Sequence, residues 1–469
     1  MVFFSQMADA LWNPWLLGLF LVTGLVYSAG SGFFQIFGFR TWWRSTAGSL
    51  LRRQEKSGGG LSPLQALATA LASTMGTGSI AGVAAANTLG GPGAVFWMWV
   101  SALLGMMTGF GEKYLAVQYQ RPGPEGELQG GPMYYLRDGL GSPLLAACFC
   151  LACIPATLAG GNLIQSHSIA SGLEAAFGLP RPAVGAVTAL LAGLVMVGGL
   201  GRIAAVSSAL VPAMAALYLG SGALVLLLNW SKVPQALGMI ISRALTPAAA
   251  AGGGAGWTVA LRYGVARGVF TNEAGLGTSA MAHGAARAGH PAQQGMWGIF
   301  EVFLSTLLVC TVTALVILVS GVWDPSGALT GAPLTAAAFG SVLGRGGEGV
   351  VALSLLLFAF SSLLGWSWYG QHCLEFLSGG RLLPIYRTLF LLCVLAGAVW
   401  EGGAVWQLVD LCNALMALPN LAALLVLAPQ ALSGLRRGRA APAKRERKNF
   451  KNTIDSLGKC AYHIGRKRA

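Results

Sequence analysis

The chain has 469 residues, 55% apolar and only 10% charged, with a formal charge of +14 from 30 Lys and Arg against 16 Asp and Glu. Its mean hydropathy of +0.63 excludes an ordinary soluble enzyme and implies a polytopic, all-α membrane protein. The 67 glycines suit transmembrane helices that meet through small residues.

In chain order, the first ten residues lack a basic start and a small-residue cleavage site, so no cleavable signal is expected. About eleven apolar segments of roughly 20 residues follow. They fall near 15–38, 64–88, 94–118, 143–171, 183–201, 205–229, 258–287, 294–321, 350–377, 383–400 and 404–428. The second and seventh are weak by hydropathy, being filled with Gly, Ala, Ser and Thr. Cys148, Cys150 and Cys153 have no nearby His or carboxylate to complete a zinc shell and read as small buried thiols.

Basic residues test whether the weak segments span. The loop after the first segment holds Arg40, Arg44, Arg52, Arg53 and Lys56 against Glu55 alone, which makes it cytoplasmic. Beyond Ser433 lie twelve Lys or Arg against Glu446 and Asp455, a net +10, so the 431–469 tail is cytoplasmic too. It is read as topology and attraction to anionic lipid, not as a nucleic-acid arm. An even number of spans must separate loop from tail, and ten do only if both weak segments cross. The stretch FTNEAGLGTS (270–279) then lies at bilayer depth, and the N-terminus lies outside.

Setting aside an extra first helix (1–60, with its basic loop), the remaining ten spans divide into five over 61–230 and five over 231–430. Each half opens on an interrupted helix: MGTGSIAG from Met75 and LGTSAMAHG from Leu276. An odd number of spans per half inverts the second relative to the first, and paired breaks in matching places point to a secondary transporter's binding site. A break at Gly76-Thr77-Gly78 frees N–H groups around 78–81 that favour an anion. A helix ending at Phe270-Thr271 frees carbonyls that favour a cation, an ammonium or Na⁺. Together they suit an amino acid.

The segments GTGSIAGVAAANTLGGPGAVFWMWVSALLGM (76–106), GGPMYYL (130–136), YGVARGVFTNEAGLGTSA (263–280), CTVTALVIL (310–318), FAFSSLLGWSWYG (358–370) and DLCNALMALPNLAALL (410–425) closely resemble the alanine or glycine:cation symporter family. The resemblance covers about residues 60–430. It implies a leucine-transporter-type fold of two inverted five-helix repeats. It also implies Na⁺-coupled uptake of alanine or glycine, with serine or D-alanine in range, across a bacterial inner membrane. Na⁺ is the coupling ion, no cofactor is expected, and the working unit is expected to be a monomer.

By the same resemblance, Thr74, Thr77 and Gly78 hold the substrate carboxylate, and Gly76 and Ser79 belong to the same substrate site. Phe270, Thr271, Asn272 and Glu273 surround the ammonium, with the Phe270 ring as a lid. Gln165, Trp366 and Asn413 complete the wall. The Ala72, Met75 and Phe358 carbonyls and the Ser361 and Ser362 hydroxyls form the Na⁺ site. Five oxygens without a dedicated carboxylate suit Na⁺ better than Ca²⁺. Each has a plainer reading as well: serines bonded back to helix carbonyls, Trp366 as core or interface belt, Gln165 and Asn413 as ties between helices.

Among the remaining acids, Glu112 with Lys113 reads as a solvated or paired face near a helix end. Glu301 stands where the family usually has Gly, and Ser305, one turn on, stands where it usually has Asp; Ser79 replaces Asn. These departures leave the number of Na⁺ ions open. His283 is read as a packed polar residue or a proton relay. The alternatives to Na⁺ symport are proton coupling through Glu273 or Glu301, an ion channel, for which no repeated filter motif is found, and an intramembrane enzyme, for which no nucleophile–base pair or metal motif is found.

Overall fold

The computed structural model describes residues 11–12, 14–49, 60–123, 126–245, 256–400 and 404–466, and their side chains except at 256–257, 404 and 439–466. Arg52, Arg53, Glu55 and Lys56, and the tail's basic side chains from Arg439 on, lie outside that description.

The architecture is helical throughout. In chain order the main helices are α1 (Pro14–Gly30), α2 (Pro63–Thr74), α3 (Ala81–Gly90), α4 (Gly93–Gln118), α5 (Pro143–Phe177), α6 (Arg181–Val197), α7 (Gly199–Leu228) and α8 (Val233–Leu245). Then come α9 (Gly256–Asn272), α10 (Thr278–Gly284), α11 (Pro291–Ser320), α12 (Gly331–Leu343), α13 (Arg345–Ser378), α14 (Leu383–Val399) and α15 (Ala404–Arg466). Among the described residues six helices, α4, α5, α7, α11, α13 and the 405–438 part of α15, are long and apolar enough to cross a membrane. Local sequence sets the ends. Pro63, Pro143 and Pro291 open helices where their missing N–H has no intrahelical partner to lose. Gly178, Gly321 and Gly379 close them in the left-handed conformation.

A helix occupies each of the eleven apolar segments, with two differences of detail. The first ends at Gly30 and not near 38, because Gly32 (φ 69°) and Phe33 (φ 51°) turn the chain into the short helices Phe34–Phe37 and Phe39–Ser45. The helices α8 and α12 were not expected as separate elements. Both are 13 residues long, too short for a span.

Two helices organise the packing. α4 is covered by α1, α8, α9, α11 and α15, and α13 by α2, α5, α7 and α12. α1 is tied on by the Tyr27 hydroxyl, which donates to the Leu424 carbonyl at 2.9 Å, and by the Trp12 indole, which donates to the Asp410 carbonyl at 2.6 Å.

Candidate functional site

The first break follows from a well-made helix that runs out. α2 starts on a capping box, Ser62 and Gln65 each accepting the other's backbone N–H at 3.2 and 3.0 Å. Its last helical bond is Met75 N to the Leu71 carbonyl, and Met75 (φ −82°, ψ 58°) and Gly76 (φ −93°, ψ −155°) leave the helix. A single tight turn over Thr77–Ser79 leads into α3, whose start has no side-chain cap. Gly76 is required by space: a Cβ there would sit 2.9 Å from Ser362 Oγ and 3.3 Å from Gln165 Oε1.

The second break is wider. After α9 the backbone takes left-handed conformations at Glu273 (φ 54°), Gly275 (φ 97°) and Gly277 (φ 82°) before α10 begins. Asn272 Oδ1 accepts the Ala274 N–H at 3.0 Å, a local turn that a short amide side chain makes readily. Glu112 Oε1, reaching across from α4, accepts the N–H groups of Gly275 and Gly277, both at 2.9 Å, and the Asn420 amide at 2.7 Å. Asn420 also donates to the Gly275 carbonyl at 2.9 Å and is bonded to the Tyr135 hydroxyl. The Thr278 hydroxyl donates to Glu273 Oε2.

The two breaks open on one small cavity. Thr74, Gly76, Gly78, Gln165, Phe270, Glu273, Trp366 and Asn413 all line it, joined by Ser73, Gly160, Leu276, Ser362 and Val409, which the sequence reading did not place there. The side chains of Thr77, Ser79, Thr271 and Asn272 are elsewhere. Thr77 contributes its N–H to Gln165 Oε1 (3.4 Å), the Ser79 carbonyl accepts from Thr313 (2.9 Å), and Thr271 bonds back to the Arg267 carbonyl (2.6 Å).

The wall is shaped by close packing. Around 159–163 α5 widens by one residue per turn, so that Gln165 Nε2 bonds to the Gly160 carbonyl at 3.2 Å and both face the cavity. A Cβ on Gly161 would come within 2.3 Å of Trp366 Cβ, which locks the indole in place. Phe270 lies against Gly78, 3.3 Å from where a Cβ there would be, and 5.9 Å from the Trp406 ring. Phe270 also borders a second cavity of about 570 Å³ with Trp12, Arg262, Tyr263, Ala266, Arg267 and Asp410. Its ring therefore separates two compartments. Arg267 sits over both rings, 5.9 Å from Phe270 and 5.7 Å from Trp406. Asn413 Oδ1 is buried and has no hydrogen-bond partner among the described residues.

Beside the cavity, α2 and α13 meet so tightly that a Cβ on Gly365 would strike Ser73. The Ser361 hydroxyl lies 3.2 Å from the Ala72 carbonyl and 3.0 Å from that of Phe358; Ser362 donates to Ser73 at 2.7 Å. Ala72, Met75, Phe358, Ser361 and Ser362 are all buried. Ala72, Phe358, Ser361 and Ser362 come together where α2 meets α13, and Met75 follows at the end of α2.

Two readings need correction. Cys148 lies on the outward side of α5 and is exposed, unlike the buried Cys150 and Cys153. Glu112 and Lys113 are paired, as one of their two readings had it, but they are not a solvated face; neither side chain has any exposure. Lys113 Nζ lies 3.3 Å from Glu112 and 3.4 Å from Glu301, and His283 Nε2 is 3.1 Å from the same Glu301 oxygen. The signal was present in the sequence: a charged pair inside the apolar 94–118 segment is expensive at bilayer depth unless compensated.

The chain matches the sodium:alanine symporter family over residues 1–452. It belongs to that family. The protein is thus a symporter of the membrane and not an enzyme. It is 40% identical over 422 residues to the sodium/alanine symporter AgcS of Methanococcus maripaludis, covering 89% of this chain and 92% of the relative. It is 41% identical over 425 residues to an uncharacterized transporter of Haemophilus influenzae, covering 90% and 92%. In fold the symporter is similar to the manganese transporter of Eremococcus coleocola, with TM-score 0.51, 16% identity, and coverage of 80% and 78%.

Proposed function

We propose that this symporter couples inward Na⁺ movement to uptake of a small neutral amino acid, alanine or glycine first, by alternating access. The observation that carries the reading is the meeting of two broken helices at one small cavity. On one side, Gly76 and Gly78 precede an uncapped helix start, where N–H groups suit a carboxylate. On the other, Glu273 and the unpartnered Asn413 Oδ1 suit an ammonium, as do the Phe270 and Thr271 carbonyls at the end of α9. Trp366 and Phe270 leave room for a hydrogen or a methyl. Na⁺ sits between the Ala72, Met75 and Phe358 carbonyls and the Ser361 and Ser362 hydroxyls; the approach of Ser361 to two of those carbonyls supports this.

The repeats run over 61–230 and 231–430 with opposite orientation, with the N-terminus outside and the 431–469 tail on anionic cytoplasmic lipid. The unit is a monomer. The test is uptake of labelled alanine into proteoliposomes with and without an inward Na⁺ gradient, alongside Glu273→Gln. Accumulation that collapses with a Na⁺ ionophore and in the variant is expected. Accumulation that ignores Na⁺ and follows a pH gradient would replace the coupling ion. Failure of excess glycine, D-alanine or serine to compete would narrow the substrate to alanine.

A further inference from the structure

We propose that His283 and Glu301, braced by Lys113, form a buried proton-binding site linked to the amino-acid cavity. The functional arm of its test rests on the transport reading above; the site itself does not.

The observation is the way His283 is caged. It lies in the last turn of α10 with no exposure, and both ring nitrogens are engaged. Nε2 is 3.1 Å from Glu301 Oε2, and Nδ1 is 2.6 Å from Gln294 Nε2. In that arrangement the amide donates to Nδ1, so Nδ1 is bare and the ring is neutral, with its hydrogen on Nε2 directed at Glu301. Gln294 Oε1 has no hydrogen-bond partner among the described residues. Turning the amide over brings this oxygen against Nδ1, where it accepts from a protonated ring. The cage therefore offers Nδ1 a partner in both states, a donor for the imidazole and, with the amide turned, an acceptor for the imidazolium. A histidine with a purely structural role needs only one of them.

Charge balance points the same way. Glu112 and Glu301 ionised with Lys113 protonated leave one negative charge, all three side chains being fully buried. A proton from water, taken at Nδ1, cancels it, and the Gln294 amide turning over is the one rearrangement it needs. The groups facing the pair can be named for each element packed on α10. α4 brings Lys113 and Glu112, and the break brings Glu273. α13 brings Tyr369, near Glu273 and Glu301, Cys373, whose thiol is 3.8 Å from Met281 Sδ, and His372, whose Nε2 is 3.1 Å from the carbonyl of Gly130, which packs on Gly284. Pro132–Tyr134 brings the Tyr134 phenol, and α2 and the Leu128–Gln129 strand bring no titratable residue. Tyr27 and Tyr135 lie toward Glu112, and Arg287 follows α10.

The link to the cavity is short. Thr278, at the opposite end of the seven-residue α10, bonds Glu273, which lines the cavity. Glu112, which shares Lys113 with Glu301, holds the Gly275 and Gly277 N–H groups of the break. A change of charge at His283 is thus felt by both attachments of that break.

Two measurements test the site, one of them without substrate. Thermal unfolding of the purified wild type and of His283→Gln is followed from about pH 5.5 to about pH 8.5, the range in which histidine changes charge. The difference in melting temperature between the two is expected to vary across the range; a constant difference would overturn the proposal. In proteoliposomes, the rate of Na⁺-driven alanine uptake by the wild type is expected to change at least about threefold over the same range. His283→Gln, whose amide nitrogen replaces Nε2 but cannot titrate there, is expected to hold its rate within about twofold at all pH values. A purely structural role for His283 would lower the rate equally at every pH and leave the profile parallel to wild type, and that too would overturn the idea. If His283→Gln does not fold, Glu301→Gln takes its place: it keeps an acceptor for Nε2 and is expected to displace the wild-type midpoint by at least about one pH unit. An unmoved midpoint would refute the site. Absence of alanine uptake at any pH would instead count against the transport reading, with the unfolding measurement still deciding on the proton.

Discussion

Replacing Glu112 with glutamine isolates what holds the second break together. The amide oxygen can still accept from Gly275, Gly277 and Asn420 at 2.9, 2.9 and 2.7 Å, but as a neutral acceptor. Hydrogen bonds to charged groups contribute about 1.5–3 kcal/mol each against about 0.5–1.5 for neutral ones, so three weakened bonds cost roughly 3–4.5 kcal/mol. The new amide NH₂ also faces Lys113 Nζ, 3.3 Å from the carboxylate oxygen it replaces, so donor meets donor. Breaking a buried pair costs about 3–5 kcal/mol when the survivor is left alone. Here Lys113 keeps Glu301 at 3.4 Å, which holds the sum near the lower end. A total of about 3–5 kcal/mol lowers the melting temperature of the purified protein by at least about 5 °C, at roughly 2 °C per kcal/mol or somewhat less in a chain of this size. Alanine uptake falls by about a hundredfold or more if the break must keep its shape through the cycle. Glu112→Gln with Lys113→Met removes the stranded charge and is expected to recover at least about half of the lost stability. Unfolding within about 1 °C of wild type, with normal uptake, would refute the claim that the carboxylate organises the break.

Three further perturbations act on other parts of the site. Gly78→Ala places a methyl 3.3 Å from two Phe270 ring carbons, and it is expected to raise the KM for alanine about tenfold, and that for glycine less, in competition uptake. Ser361→Ala deletes a hydroxyl that lies against two carbonyls of the proposed ion site; the apparent KM for Na⁺ is expected to rise about tenfold, with the alanine KM at saturating Na⁺ moving less. Gly161→Ala puts a carbon 2.3 Å from Trp366 Cβ, so a loss of about 1–3 kcal/mol in thermal stability is expected, together with reduced uptake.

The breaks were legible because glycines and a carboxylate cannot interrupt an apolar span without a purpose. That placed Gly76, Gly78, Phe270 and Glu273, and the long motif resemblance added Gln165, Trp366 and Asn413, which no local pattern marks. The tight turn at 77–79 was not legible. It turns the Thr77 and Ser79 side chains off the cavity and leaves only their backbone near it. Asn272 was misplaced because its amide caps the very turn that exposes Glu273. The pairing of Glu112 with Lys113 was legible, but their full burial was not, because adjacent opposite charges are usually at a surface. Their partners, at Gly275, Asn420 and Glu301, are distant in sequence, and only folding brings them together.

The unequal chemistry of the two breaks follows from how each satisfies its backbone. The first needs one left-over turn, in which Ser79 N bonds the Gly76 carbonyl and Ile80 N the Thr77 carbonyl, so it needs no charged partner from another helix. The second needs three left-handed residues, which strand the Gly275 and Gly277 N–H groups at a depth where water cannot serve them. An anionic acceptor there requires a cation, and Lys113 in turn requires a second acid, which brings Glu301 and His283 into the core. The first break is thereby free to bind an anion from outside, while the charged break is already committed to partners of its own. This makes the first break the adaptable half of the substrate site and the second the half whose geometry is set by titratable groups.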